Sequence, residues 1–292
     1  MYIGRFAPSP TGPLHMGSLL AAAISYFDAK ANNGKWLVRI EDIDPPREQP
    51  GAAHSILKTL ESHHLLWDDT VLYQSTRTEA YQAAVDQLLQ SDCIYPCQCS
   101  RKQLAEFKEQ SNKPDLNHLP HPEHCIQPLD KSQPYALRAR PSRFSYQDLF
   151  QDHQTGLDGH FIVKRRDQLF AYQLAVVVDD HEQDISHVIR GYDLLDSTPK
   201  QLILYDALGY TAPTFGHFPV IIGSDGQKLS KQNLAPAIDS EQTVENWKQI
   251  FQYLGFNIPD THDLAELIND GCAQWKTARP NVLSAQQLLK LD

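Results

Sequence analysis

The sequence predicts an α/β protein with a parallel sheet, an insertion and a helical C-terminal region. Three observations support this prediction. The first 40 residues have the pattern of strand, helix and strand, residues 93–134 are rich in cysteine, histidine and proline, and the chain after 232 has helical patterns. The predicted divisions are the two halves of one α/β domain at 1–92 and 135–232, the insertion at 93–134, and the C-terminal region at 233–292.

Length, composition and charge limit the class of protein. The chain has 292 residues, of which 41% are hydrophobic and 21% charged, as in an ordinary globular protein. No secretory signal pattern begins the sequence and no stretch approaches the length of a membrane span, so we expect a cytoplasmic protein with no membrane partner. The five cysteines then favour reduced thiols or a metal site. A net charge of −10 argues against a basic coat, but a confined basic face that binds RNA is compatible with it.

The first element group is a βαβ unit. Strand patterns at 2–6 and 35–42 flank a helical pattern at 17–34, in which apolar residues recur at the helical period. Gly34 is predicted to cap this helix at its C-terminus. Since βαβ units are typical of parallel sheets, the two strands are predicted to be parallel.

The remaining elements follow from periodicity and capping residues. Ser100 and Gln103 form a capping-box pattern, Gly209 ends a helix, and Ser240 is predicted as an N-cap. Helices are predicted at 55–66, 79–90, 170–180, 197–209 and 244–255, with one short helix opening at Ser100. Strands are predicted at 135–140, 160–165, 185–191 and 218–223.

The stretch "RFAPSPTGPLHMGS" at 5–18 has the features of an anion-binding loop. It leads directly into a helix N-terminus, where unpaired backbone N–H groups and the helix dipole attract negative charge. Gly12 and Gly17 permit close approach of a ligand, and His15 adds a donor at the same place. A nucleoside triphosphate would suit this arrangement; the alternative is a proline-rich loop that only caps a helix.

A second basic motif, "KLSKQ" at 228–232, lies more than 200 residues downstream. Lys228 and Lys231 flank Ser230 after a glycine-containing turn, and two lysines there suit the charge of a leaving pyrophosphate. Alone, such a run more often indicates a solvated surface. The two motifs together, in this order, are much more specific for nucleotide chemistry.

These motifs resemble signatures of the class I aminoacyl-tRNA synthetases. "LHMGS" resembles their HIGH motif and "KLSKQ" their KMSKS motif, while the full 5–18 stretch, "RIEDIDPPR" at 39–47 and "VIRGYDLLDSTPKQ" at 188–201 resemble the glutamyl branch. The resemblance covers the chain to Gln232 and implies a Rossmann-like catalytic domain that binds ATP with Mg²⁺ and L-glutamate. Beyond that point the anticodon-binding region of glutamyl-tRNA synthetases is expected to be absent.

The short form is similar to the glutamyl-queuosine tRNA(Asp) synthetases, a family of catalytic-domain paralogues. This implies tRNA-independent activation of glutamate and its transfer to queuosine at the wobble position of the tRNA(Asp) anticodon stem-loop, by a monomer. One alternative is a truncated glutamyl-tRNA synthetase that charges the tRNA 3′ end. Another is a catalytically silent descendant that binds tRNA or glutamate.

The resemblance also implies residue roles. Arg5 and Arg190 would hold the side-chain carboxylate of glutamate, because a planar bidentate donor suits it better than lysine does. Glu41 would bind the substrate ammonium. The predicted glutamate site comprises Arg5, Phe6, Ala7, Pro8, Ser9, Glu41, Tyr172 and Arg190. The predicted ATP site comprises His15, Gly17, Ser18 and Lys231, with His15, Lys228 and Lys231 catalytic. Ser18 and Gln232 depart from the simple HIGH and KMSKS patterns.

The insertion is predicted to hold one structural Zn²⁺. Cys97 and Cys99 precede Cys125, and the family pattern places a tyrosine where this chain has His121, which is a better zinc ligand. The predicted ligands are Cys97, Cys99, His121 and Cys125. His118 or His124 could replace His121, and reduced cysteines without a metal are the alternative; Cys93 and Cys272 are not assigned a role.

Overall fold

The predicted α/β class is confirmed by the computed structural model, which describes residues 1–110, 121, 130, 132–219 and 236–282. Strand β1 (Ile3–Phe6) pairs in parallel with β2 (Lys35–Ile40), and β2 pairs in parallel with β3 (Leu72–Tyr73). Helix α1 (Met16–Ala31) connects the first two strands. The predicted βαβ unit is therefore present.

Helix α1 is buried along most of its length because its apolar residues face both the sheet and the C-terminal helices. Leu19, Ile24 and Phe27 are fully buried, and Trp36 of β2 donates its indole N–H to Ser25 Oγ over 2.9 Å. A hydrogen bond also joins this helix to the C-terminal region, since the Trp275 indole N–H donates to Asp28 Oδ1 at 2.9 Å. The C-terminal region is thus packed against the first βαβ unit.

The predicted C-cap at Gly34 is wrong. Helix α1 ends at Ala31 with Asn32 as its C-cap, and the left-handed residue is Asn33, with φ of 52°. Gly34 is needed for a different reason, since a Cβ there would lie 2.5 Å from the carbonyl oxygen of Tyr2. The glycine allows the chain to pass closely beside the start of β1.

The middle of the chain alternates helices with short strands. Its elements are α2 (Ala52–Ser62), α3 (Thr78–Gln90), β4 (Ile94–Cys97), α4 (Arg101–Gln110), β5 (Ala136–Ala139), β6 (Ser142–Tyr146), β7 (Gln154–Asp158) and β8 (Ile162–Lys164). The capping box at Ser100 and Gln103 forms at the start of α4, and β4 and β5 are antiparallel. Strands β4 and β7 and the β6–β7 hairpin are additions to the sequence prediction.

The second half of the α/β domain returns to parallel pairing. Its elements are α5 (Tyr172–Glu182), β9 (His187–Gly191), α6 (Thr198–Leu208) and β10 (Thr214–Phe218). Strands β9 and β10 are parallel, and the Ser186 N–H before β9 donates to the Ile3 carbonyl of β1 at 2.9 Å. The carboxyl ends of β1 and β9 therefore meet at one edge, where ligands of open α/β sheets usually bind. Gly209 caps α6 in the left-handed conformation, as predicted.

Two further predictions need correction. Strand β10 lies at Thr214–Phe218, whereas the predicted strand was 218–223, of which 220–223 fall outside the described residues. Helix α7 (Thr243–Leu254) has Gln242 as its N-cap rather than Ser240, whose hydroxyl lies 3.5 Å from Thr59 Oγ1. Helix α8 (Leu264–Val282) completes the described C-terminal region. None of the helices in the described ranges combines the length and the apolar composition that crossing a membrane requires.

Candidate functional site

A cavity of about 340 Å³ opens at the carboxyl ends of β1 and β9. Its walls come from the loop after β1, the first turns of α1, the start of α5 and the ends of β9 and β10. Ten of the predicted ligand-binding residues line it: Arg5, Phe6, Ala7, Pro8, Ser9, His15, Gly17, Ser18, Tyr172 and Arg190. Residues far apart in the sequence thus meet at one site, while their individual roles stay predictions.

Glu41 lines a second, adjoining cavity of about 220 Å³. Ser9, Thr11 and Tyr172 line both cavities and so mark where they join. The second cavity also contains Asp44 of the "RIEDIDPPR" stretch. A ligand with groups in both cavities would pass beside the Tyr172 hydroxyl.

Arg5 is tied to a buried acid that the sequence analysis missed. Its Nε and Nη2 each donate to Asp180 over 3.2 Å, and Arg39 Nη1 lies 2.7 Å from Asp180 Oδ1. Burial alone would raise the pKa of Asp180, but Arg39 and Arg5 outweigh it and hold that pKa below its ordinary value. Arg5 is therefore both oriented and partly neutralised before any substrate binds. The sequence signal that could have revealed Asp180 was the acidic pair Asp179–Asp180, which directly follows the apolar run 174–178.

Glu41 is buried beside two arginines and two aspartates. Its backbone N–H donates to the Pro8 carbonyl at 3.0 Å, which ties the end of β2 to the loop after β1. Arg39 Nη2 lies 3.5 Å from Glu41 Oε1. Burial raises the pKa of Glu41 to about 7, although the arginines oppose the shift. A cationic ligand group placed next to Glu41 would favour its charged form.

Arg190 presents an unsatisfied donor. Its Nε donates to His217 Nε2 at 3.0 Å and its Nη2 to Thr198 Oγ1 at 2.7 Å. Its Nη1 is buried and has no hydrogen-bond partner among the described residues. Burial lowers the pKa of Arg190, and the nearby Arg5 adds to this effect. A buried donor without a partner is costly, so a bound carboxylate at this point would be strongly stabilised.

His15 is the N-cap of α1. Its Nδ1 accepts from the Ser18 N–H at 3.3 Å, and its Nε2 lies 2.9 Å from Ser18 Oγ. The backbone of His15 also forms an antiparallel bridge with Ala237. Lys228 and Lys231 lie outside the described residues, so their predicted roles at this site stay predictions.

Part of the predicted metal site is assembled. The ligand atoms of Cys97, Cys99 and His121 lie within 4.8 Å of one another, and Cys97 Sγ is 3.1 Å from His121 Nε2. Cys125 and the alternative ligands His118 and His124 lie outside the described residues. Thiols and imidazole are suitable zinc ligands. Cys99 is in a disulfide in the structure, so a metal would need its reduced thiol, while Cys93 and Cys272 are free thiols.

Comparison with known proteins identifies relatives of the whole described domain. The catalytic-domain family of class I tRNA synthetases (E and Q) matches residues 3–257. The glutamyl-Q tRNA(Asp) synthetase of Neisseria meningitidis serogroup C (strain 053442) is 44% identical over 282 residues, covering 94% of this chain and 96% of the relative. The enzyme of the same name from Vibrio vulnificus (strain YJ016) is 46% identical over 285 residues, covering 94% and 90%.

Solved structures show the same fold. The glutamate-tRNA synthetase of Elizabethkingia anophelis superimposes with a TM-score of 0.68 at 30% identity, covering 80% of this chain and 53% of that protein. A glutamate tRNA ligase from Elizabethkingia meningosepticum CCUG26117, solved in complex with its amino acid, gives a TM-score of 0.66 at 31% identity, covering 79% and 52%. The chain therefore spans about half the length of these two solved proteins.

Proposed function

This chain belongs to the class I tRNA synthetase (E and Q) catalytic-domain family, and we propose that it activates L-glutamate with ATP and transfers it to queuosine in tRNA(Asp). The observation that carries the choice of amino acid is the buried, unpartnered Nη1 of Arg190 in the main cavity. It calls for a carboxylate that no described residue supplies. The choice of acceptor is supported by relatives named glutamyl-Q tRNA(Asp) synthetase, which align over 90–96% of their own length.

In the proposed binding mode, glutamate occupies the junction of the two cavities. Its side-chain carboxylate accepts hydrogen bonds from Arg190 and faces Arg5, and the Tyr172 hydroxyl lies in the same pocket. Its ammonium approaches Glu41, whose charged form it favours. This arrangement uses charge of opposite sign in each cavity and thereby sets the direction of the substrate.

Activation then requires positioning and charge neutralisation, and no covalent nucleophile from the protein. The glutamate α-carboxylate attacks the α-phosphate of ATP, the new acyl–phosphate bond forms, and the bond to pyrophosphate breaks. His15, Gly17 and Ser18 at the start of α1 would face the phosphates. Lys228 and Lys231 would neutralise the charge that grows on the leaving pyrophosphate, and Mg²⁺ bound to ATP would add to that neutralisation.

The transfer step suits an anticodon nucleoside that carries a cis-diol. A hydroxyl of the queuosine cyclopentene ring attacks the acyl carbon of glutamyl-adenylate, its proton is lost, and AMP leaves. The 3′-terminal ribose of a tRNA carries a similar diol, so charging of the 3′ end is the second candidate. That alternative is supported by the structural similarity to two glutamate-tRNA synthetases.

Two measurements test the proposal. First, we expect glutamate-dependent exchange of labelled pyrophosphate into ATP without tRNA, since both predicted ATP motifs and the glutamate site belong to this chain. Second, labelled glutamate is supplied with native queuosine-containing tRNA(Asp) or with an unmodified transcript, and the RNA is then cut. Label in the anticodon fragment of the native tRNA alone is the expected result. Label at the CCA end of either RNA would instead establish 3′-end charging.

The insertion is proposed to hold one structural Zn²⁺ in the reduced protein. Cys97, Cys99 and His121 would supply three ligands, as their spacing of within 4.8 Å suggests, and Cys125 is the predicted fourth. Four protein ligands leave no open coordination position, which is typical of structural sites. The metal would hold the end of β4 to the following segment, and it takes no part in the reaction.

A further inference from the structure

Arg190 is held in the cavity by uncharged groups. Its hydrogen bonds go to His217 Nε2, Thr198 Oγ1 and the Leu194 carbonyl, at 3.0, 2.7 and 3.4 Å. Arg5 differs, since its Nε and Nη2 both donate to the carboxylate of Asp180. Within the described ranges, therefore, Arg190 forms no ion pair, and its positive charge is not neutralised by a directly bonded acid.

The hydrogen bond from Arg190 determines the protonation state of His217. A guanidinium N–H can only donate, so His217 Nε2 must accept, and the ring must be neutral with its hydrogen on Nδ1. Nδ1 therefore donates to Asp148 Oδ2, and the distance between these two atoms is 2.5 Å. The ring is fully buried, and burial lowers the pKa of His217 even though Asp148 opposes the shift. The neutral state follows from geometry and is consistent with the burial.

Asp148 is itself fixed by the backbone. Its Oδ1 accepts from the N–H groups of Phe150, Gln151 and His217, at 2.9, 3.1 and 3.1 Å. Only Oδ2 then faces the imidazole. His217 is also the register partner of Arg190 across the parallel β9–β10 pair, which places the two side chains next to each other. We call Asp148, His217, Thr198 and Arg190 the Arg190 network.

We propose that His217, oriented by Asp148, is a positioning and specificity-determining residue for the amino-acid substrate. It fixes the plane of the Arg190 guanidinium while remaining neutral. A carboxylate in its place would pair with Arg190 and neutralise the charge that selects an acidic substrate side chain over the corresponding amide. This inference rests on the proposed function, because it assigns the selected group to the side-chain carboxylate of glutamate.

The matched variants His217→Gln and His217→Asn test the inference. The oxygen of glutamine reaches the position of Nε2 and can accept from Arg190, whereas asparagine is too short and retains only the contact to Asp148. In pyrophosphate exchange we expect the KM for glutamate to stay within about threefold of wild type in H217Q. In H217N the glutamate KM should rise at least tenfold, and the preference for glutamate over glutamine should fall. The KM for ATP should change less than threefold. A purely structural role would affect both substrates alike.

The variant Asp148→Asn tests the inference independently. The asparagine amide facing Nδ1 forces the hydrogen onto Nε2, where it meets the Arg190 N–H, so the glutamate KM should again rise at least tenfold. Thr198→Val, which removes the hydroxyl that accepts from Arg190 Nη2, serves if D148N fails to fold. The inference would be overturned if the glutamate KM stayed within threefold of wild type in H217N and in D148N (or in Thr198→Val, if D148N fails to fold). It would also be overturned if the glutamate KM rose equally in H217Q and H217N.

The wild-type enzyme separates this inference from the proposed function. Exchange by the wild type establishes activation, and the variants then test the Arg190 network alone. If the wild type shows no exchange, the proposed function fails. Glutamate affinity is then measured by calorimetry in the same variants, and we expect it to be similar in wild type and H217Q and weaker in H217N. A wild type that neither exchanges pyrophosphate nor binds glutamate would overturn both.

Discussion

Replacing Glu41 by glutamine should make the protein more stable and less active at the same time. Glu41 has a pKa of about 7 in the folded protein, against an ordinary value of 4.5. Because the folded state binds the proton more tightly, this group favours folding below pH 4.5, and that contribution is lost as the pH rises to about 7. The ionised side chain therefore destabilises the folded state at pH 8 by up to about 3 kcal/mol.

The neutral amide of Glu41→Gln removes that cost. Arg39 keeps its contact with Asp180 at 2.7 Å, so no buried cation is left unpaired. We expect the free energy of unfolding at pH 8 to rise by up to about 3 kcal/mol, with a melting temperature about 5 °C higher. At pH 4.5 the difference should shrink to less than about 1 kcal/mol, because the wild-type group is then largely protonated.

Activity should change in the opposite direction. The variant lacks a charge for the substrate ammonium, so we expect at least a tenfold rise in the glutamate KM, and in the wild type this KM should fall as the pH rises through about 7. Denaturant titrations at pH 4.5 and 8 and pyrophosphate exchange are the assays, with exposed Glu61→Gln as control. A less stable variant at pH 8, a stability gain equal at both pH values, or an unchanged KM would refute the reasoning.

Three other substitutions test the ATP site, the metal site and the packing beside β1. Lys231→Ala should reduce adenylate formation at least tenfold, a loss of about 1.4 kcal/mol or more of transition-state stabilisation, while surface Lys102→Ala leaves pyrophosphate exchange unchanged. Metal analysis of the reduced protein should find one zinc per chain. The zinc content should fall in Cys97→Ser but not in Cys93→Ser. A wild-type protein that contains no zinc and keeps its fold under chelation would contradict the site. Gly34→Ala should cost about 1–3 kcal/mol of stability, measured by denaturant titration, because its Cβ would meet backbone at 2.5 Å; an unchanged midpoint would contradict this.

Local sequence patterns were sufficient for most elements of the α/β domain. Apolar periodicity located α1, α3 and α5, and strand patterns located β1, β2 and β9, because these segments have strong periods that match their burial. Caps were less predictable. Gly34 and Ser240 were assigned as caps from residue type, but their positions are governed by contacts with Tyr2 and Thr59, which lie far away in the sequence.

The sequence predicted the ligand-binding residues of the candidate site, but not the residues that form hydrogen bonds with them in the folded protein. Arg5 and Arg190 lie in quoted motifs, Tyr172 was implied by the family resemblance, and all three line one cavity. Asp180 and His217 belong to no motif used in the sequence analysis, yet they bind the two arginines directly. The roles of Lys228, Lys231 and Cys125 stay predictions, since these residues lie outside the described ranges.

The sequence by itself determined the fold class, the order of the main elements and the chemical types at the site. These depend on periodicity and on residue identity, which are local properties. Only the tertiary structure decided that Glu41 lines a different cavity from Arg190, that Asp180 neutralises Arg5, and that a neutral imidazole supports Arg190. The physical reason is that charge pairing and burial depend on distances across strands and helices, which packing sets and linear spacing does not record.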